Sequence, residues 1–228
     1  MDLKEAMSAL EAAGTEKHRN ILPRHGVTGP MFGVSSMNLT NLQKQIKVDH
    51  ELALALWATK NHDARVLAGR IGDPARFTVK VADLWAKECS DYIVVEAFAA
   101  TVAHSPIADA RAAVWRDKKN EWTASLGWAV SAHLALLGRL SSTAGRQLLR
   151  QIEREIHDRP NRVRHEMNAC IIAIGTGIQE CRQAALATAD NVGTVYVDHG
   201  ETGCQTPDAW EYIDKTVKHR AQIRSRHR

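Results

Sequence analysis

The stretch Asn161 to Gly175, NRVRHEMNACIIAIG, decides how the rest of the chain is read. Val163, Met167, Cys170 and Ile174 recur at helical spacing with Ile171 beside them, so one face of a helix is apolar. Asn161, just after Pro160, is placed to cap that helix. Arg164 and Asn168, four residues apart, share the flank of the apolar stripe, and His165 points further round. Two readings follow. The polar residues are ordinary solvated side chains on the rim of a core helix, or they form a polar surface in a groove.

Outward from this stretch the same punctuation recurs. Ser35 or Ser36 opens a helix to about Lys47. Asp49 caps DHELALALWAT, Asn61 starts HDARVLAGRI, which stops at Gly72, and Thr78 opens VKVADLWAKEC. Tyr92 to Ala103, Asp109 to Trp115, Asn120 to Leu137, Ser141 to His157 and Gln179 to Ala189 read as further helices. Thr206-Pro207 starts the last. Leu3 to Ala13 is a short amphipathic segment, and the glycines and prolines of Asn20 to Gly33 read as loop, so residues 1–33 are expected to be irregular. Thr194 to Val197, TVYV, alternates but is brief, and reads as extended loop. Medium-length helices with short breaks and no fixed period predict an all-α fold. It is a HEAT-like helical-repeat solenoid of antiparallel helix pairs with a concave groove, in one domain over 1–228, ending in a basic tail at 217–228. A compact bundle is the alternative.

Composition is that of an ordinary globular chain: 228 residues, 44% hydrophobic and 25% charged. A formal charge of +4 is compatible with a polyanionic partner. No apolar run is long enough for a membrane span, and the first residues, MDLKEAMSALEAAGTEKHRN, are not a secretory signal, so the expectation is a cytoplasmic protein with reduced cysteines. The loop DHGETGCQT offers Asp198, His199, Glu201 and Cys204, but at no common zinc spacing. It reads as a turn-rich loop with Cys204 packed, and neither a metal nor a cofactor is expected. The six tryptophans are read mainly as packing residues. Trp122, near Lys118 and Lys119, is the candidate for stacking on a base, with the two lysines on phosphate. His133 shares a face with Leu126, Ala129 and Val130 and reads as a core histidine. His62-Asp63 reads as capping, and Arg65 as a candidate phosphate contact.

Four blocks in order, FGVSSMNL, DHELALALWATKNHDARVLAGRIGDP, NRVRHEMNACIIAIG and VDHGETGCQTPDAWEYIDKT, resemble the DNA alkylation repair proteins of the AlkD-like, HEAT-like repeat superfamily. The resemblance spans Phe32 to Thr216. It implies a solenoid with a basic concave groove for duplex DNA, and in characterised members excision of N3- and N7-alkylated purines, aided by aromatics and a carboxylate beside the deoxyribose. Active members carry a Trp-Asp-x-x-Asp run. Laid onto Asp91-Tyr92-Ile93-Val94-Val95, that run loses its carboxylates, and Asp91 or Glu96 substitutes only in a different register. The Arg that follows a Trp in the next repeat is also absent, since Thr123, Ala124 and Ser125 follow Trp122. The resemblance leaves Arg162, Arg164, His165 and Asn168 as this chain's own polar set, with Tyr92 as an aromatic contact in the groove. Three functions stay open: an alkylpurine DNA glycosylase acting on duplex DNA, a non-catalytic binder of damaged or distorted DNA, and a helical-repeat scaffold for proteins. A monomer is expected.

Overall fold

Side-chain caps set most helix starts. A computed structural model describes the backbone of residues 1–226 and side chains through Ile223. Asp2 and Glu5 form a reciprocal capping box on α1 (Leu3–Ala13). Ser35, Asp49, Asn61, Thr78 and Asp91 each accept a backbone N–H at the starts of α3 (Ser36–Ile46), α4 (His50–Ala58), α5 (His62–Ile71), α6 (Val79–Glu88) and α7 (Tyr92–Val102). After α8 (Ala108–Arg116), Asn120 and Ser141 do the same for α9 (Glu121–Leu136) and α10 (Ser142–Glu155). Then follow α11 (Asn161–Gly177), α12 (Arg182–Val192) and α13 (Ala209–Arg226).

Four expectations change. Residues 1–33 are not irregular, because Thr15 caps a short α2 (Glu16–Ile21) that runs into a 3₁₀ turn at Leu22–His25. Asn161 does not cap α11: its side chain exchanges two hydrogen bonds with the backbone of Asp198, each 2.7 Å long. Asp208, not Thr206, caps α13 by accepting from the Glu211 N–H at 2.9 Å. The basic tail continues α13 as helix to Arg226, and its side chains from 224 onward lie outside the described residues.

α5, α7, α9, α11 and α13 pack side by side as an inner layer, backed by α4, α6, α8, α10 and α12. This is the helix-pair solenoid expected from the sequence. Among the described residues the β pairing is one isolated bridge, Gly14 to Val34. Trp57 and Trp85 stack at 4.0 Å and 4°, with Phe77 and Phe98 tilted against them, and Trp115 and Trp128 are fully buried. α9 contributes to both apolar clusters and joins the two halves of the arc.

Two residues read as caps or contacts have other tasks. Asp63 is fully buried and accepts the N–H groups of Phe32, Gly33 and Val34 at 2.6, 3.0 and 3.0 Å. It ties the N-terminal segment to α5. Arg65 donates to the carbonyls of Trp57 and Glu88 and to the Glu88 carboxylate, and stacks on Trp57 at 5.2 Å. Its side chain is 12% exposed, so it is a brace for the α4–α5 turn and not a phosphate contact.

Candidate nucleic-acid interface

Because the inner helices run the same way, the turns leading into them line one rim of the groove. Each turn ends at the start of a helix, where unpaired backbone N–H groups leave partial positive charge. On α7 the cap Asp91 takes the Ile93 and Val94 N–H groups and holds His62 Nδ1 at 3.2 Å. It is 1% exposed, so it is a structural carboxylate and does not reach the groove. One residue on, Tyr92 faces the groove. Its hydroxyl is hydrogen-bonded to His25 Nδ1 at 2.8 Å, and Arg162 of α11 lies over its ring at 4.5 Å. Burial, then the nearby Cys204 thiol, push the Tyr92 hydroxyl above its usual pKa.

Of these, His25 and Arg162 border a hollow of about 530 Å³ at the groove mouth. Segment 23–26 closes one side, Glu121 and Trp122 of α9 and Arg162 of α11 form the floor, and Asp198 to Glu201 close the other side. The two loops touch. A Cβ built on Gly200, whose φ is +67°, would lie 2.6 Å from the Arg24 carbonyl oxygen. The DHGETGC loop therefore reaches from α11 back to the N-terminal segment. Asp198 accepts the Gly200 N–H at 2.8 Å, and Thr202 donates to the His199 carbonyl at 3.0 Å, so the loop is built from short turns. His199 bonds Thr206 at 2.9 Å and meets the His165 ring edge-on at 5.5 Å. Burial, followed in each case by neighbouring positive charge that includes Arg162, lowers both imidazole pKa values. Cys204 is exposed, not packed as its place in a turn-rich loop suggests.

The other expected groove residues divide. Arg162 and Trp122 border the mouth, while Tyr92 packs under Arg162 and His165 packs against His199. Arg164 does not border that hollow, and its Nε is buried without a hydrogen-bond partner. Asn168 is 2% exposed and donates to the Pro207 carbonyl at 2.9 Å, fastening the C-terminal loop to α11 rather than facing a ligand. Lys118 and Lys119 are exposed but not beside Trp122. With Lys87 they line a separate cleft of about 340 Å³ on the rim.

Deeper in the groove lies a pair of carboxyl groups. Glu96 lies one turn past Tyr92, with His133 of α9 at 3.8 Å and Glu166 of α11 hydrogen-bonded to it. His133 is one-third exposed and borders the groove; it is not a core histidine. Glu166 is 3% exposed. Burial, then the facing charge of Glu96, hold its carboxyl well above the usual range. Burial pushes Glu96 the other way from its partners. The His133 bond and charge and the Glu166 bond outweigh it, and Glu96 stays below its ordinary value. The two carboxyl groups therefore shift in opposite directions, and Glu166 gives up its proton after Glu96. Glu166 is a site residue that the sequence does not single out. Its helical register, one position from the buried Met167, is the one sign available there. Among the described residues no three His, Cys, Asp or Glu side chains are arranged to hold a metal ion.

A layered all-helical arc with its polar groups gathered along one concave face is the architecture of a helical-repeat recognition protein. A model of the DNA alkylation repair enzyme family matches residues 6–213, and the chain belongs to that family. It is 28% identical over 220 residues to the uncharacterized protein Lin0241 of Listeria innocua, covering 93% of this chain and 95% of the relative. It is 28% identical over 221 residues to the uncharacterized protein Lmo0209 of Listeria monocytogenes, with the same coverage. A solved structure is similar with a TM-score of 0.87 and 29% identity, over 96% of this chain and 95% of that one. That structure is from a family described as related to the HEAT-like repeat DNA glycosylases with affinity for branched DNA structures.

Proposed function

We propose that this protein binds branched or distorted DNA along the rim and mouth of its groove. The observation that carries this reading is the mouth itself. Arg162, whose guanidinium lies over Tyr92, borders it together with Arg24 and Trp122, while loops 23–26 and 198–201 meet across it. Cations beside aromatic faces suit phosphates next to unstacked bases. A straight duplex laid along the groove meets the joined loops, whereas a bent or branched backbone can turn at them. The likeness to a structure whose family has affinity for branched DNA supports the same reading. The test is binding of a four-way junction and a linear duplex of equal length and salt. Tighter junction binding is expected, and Arg162→Ala is expected to weaken it by about 1.5–3 kcal/mol, the worth of a charge-assisted hydrogen bond. Equal affinity for the two DNAs overturns the branched preference, and an unaffected Arg162→Ala variant removes the mouth from the interface.

One observation favours a second reading, excision of alkylated purines. Tyr92 and Glu96, four residues apart, share one side of α7, Tyr92 under Arg162 and Glu96 on the inner cavity. Reading the family's Trp-Asp-x-x-Asp run one residue later puts Tyr92 at its Trp and Glu96 at its second Asp. Glu96 is then the carboxylate placed to stabilise positive charge on a deoxyribose. Release of free base from duplex DNA carrying N7-methylguanine or N3-methyladenine, abolished by Glu96→Gln, is the expected result. No release by the native protein removes excision and leaves the binding reading standing.

A further inference from the structure

DNA held at the rim and mouth leaves the inner cavity of the groove unused. This cavity has a volume of about 420 Å³ and lies between α9, α11 and α13, with Glu96 of α7 on its edge. Its apolar lining is four alanines with Leu136 and Ile172 beside them. Ala129 and Ala132 on α9 face Ala169 and Ala173 on α11, so two adjacent helices present a flat apolar surface without filling the space above it. Tyr212 on α13, half exposed, stands as an aromatic wall. Arg220, anchored to the Thr176 carbonyl at 2.7 Å, also borders the cavity. The polar edge is the Glu96–Glu166 pair with His133 beside it. An apolar floor, an aromatic wall, a few convergent polar groups and one cation are what a planar heterocycle on a phosphate backbone requires.

The polar edge also selects among bases. Glu96 is the exposed member of the pair and keeps the lower carboxyl pKa, so at the cavity edge it offers acceptor oxygens. Acceptors take the exocyclic amino groups of adenine and cytosine, whereas thymine has no amino group and flanks its one N3–H with a carbonyl oxygen on each side. We propose that this cavity receives one unstacked nucleobase bearing an exocyclic amino group, with its ring on the alanine floor and its amino edge on Glu96 and Glu166. The inference rests on the DNA-binding reading, since a branch point is where an unpaired base comes free without the cost of breaking a pair.

The test uses the full chain and a junction carrying a single unpaired nucleotide at the branch: adenine, cytosine, thymine or an abasic site. Affinities are read by fluorescence polarisation at one salt concentration. Adenine and cytosine are expected to bind about tenfold more tightly than thymine or the abasic site, the ratio for one charge-assisted hydrogen bond. Ala169→Phe fills the cavity from a half-buried position and should erase that difference. The abasic junction, held at the rim, gauges whether the variant is folded and able to bind. Glu96→Gln serves as a second variant and should shrink the preference without filling any space. Four equal affinities in the native protein, or a preference that survives Ala169→Phe, overturn the proposal while leaving junction binding intact. Failure to bind any junction overturns the binding reading as well.

Discussion

At the scale of single residues, buried carboxyl groups divide into those that hold the fold and one that holds a proton. Asp63 satisfies three backbone N–H groups of the N-terminal segment. Asp63→Ala leaves those donors buried without an acceptor, and a loss of about 3 kcal/mol is expected in urea unfolding. A loss below about 1 kcal/mol would mean that water replaces the carboxylate. Glu166 behaves differently. An unfolded chain ionises it above its ordinary value of 4.5, while burial and then the Glu96 charge keep it protonated in the folded chain. Because the folded value is the raised one, this residue's contribution is complete at acid pH and is lost as pH climbs through the folded value. The melting temperature of Glu166→Gln is expected to fall less than that of the native protein between about pH 5 and about pH 8. Parallel curves would give Glu166 an ordinary titration.

At the scale of elements, close helix approach depends on particular glycines. A Cβ on Gly127 of α9 would lie 2.4 Å from the Arg116 amide nitrogen of α8. That contact is backbone and cannot swing aside. Gly127→Ala should destabilise by about 1–3 kcal/mol, while Gly203→Ala, which meets nothing within 4 Å, should change little. Thermal melts of the two variants separate a packing effect from a general glycine effect. The same distinction between local and distant partners explains what the sequence revealed. Ser35, Asp49, Asn61, Thr78, Asn120 and Ser141 cap helices by bonding the residue three positions on, so their role was legible in the neighbouring letters. Asn161 looks identical in sequence, but Asp198, 37 residues later, recruits it. Asn168 was legible as polar and helical, yet only the path of the C-terminal loop turns it inward. Of the site, Arg162, His165 and Tyr92 were found because they lie near recognisable blocks. The pairing of Glu96 with Glu166 was not, because it depends on which faces of α7 and α11 are turned to each other.

At the scale of the whole molecule, both signs of charge meet along the groove. Arg24 and Arg162 stand beside Glu121, Asp198 and Glu201 at the mouth, and the inner cavity sets Arg220 and His133 against the Glu96–Glu166 pair. Lys118 and Lys119 are exposed on the rim, away from the mouth. Replacing both with alanine should weaken binding to all DNAs alike. It should also reduce the slope of log affinity against log salt by about 2, one for each phosphate that no longer meets a lysine. An unchanged slope would move the DNA path off that rim. The approach of Gly200 to the Arg24 carbonyl carries a different consequence. Stacked repeats ordinarily interact with nearest neighbours alone, so each end of the stack frays independently. Here the loop before α13 clasps the segment after α2, and the linear chain of couplings becomes a closed circuit. Neither segment can open without releasing its hold on the other. Amide protons in segment 22–26 and in loop 198–204 are therefore expected to exchange as one unit, although they lie far apart in the chain; independent exchange would mean that the contact holds neither segment.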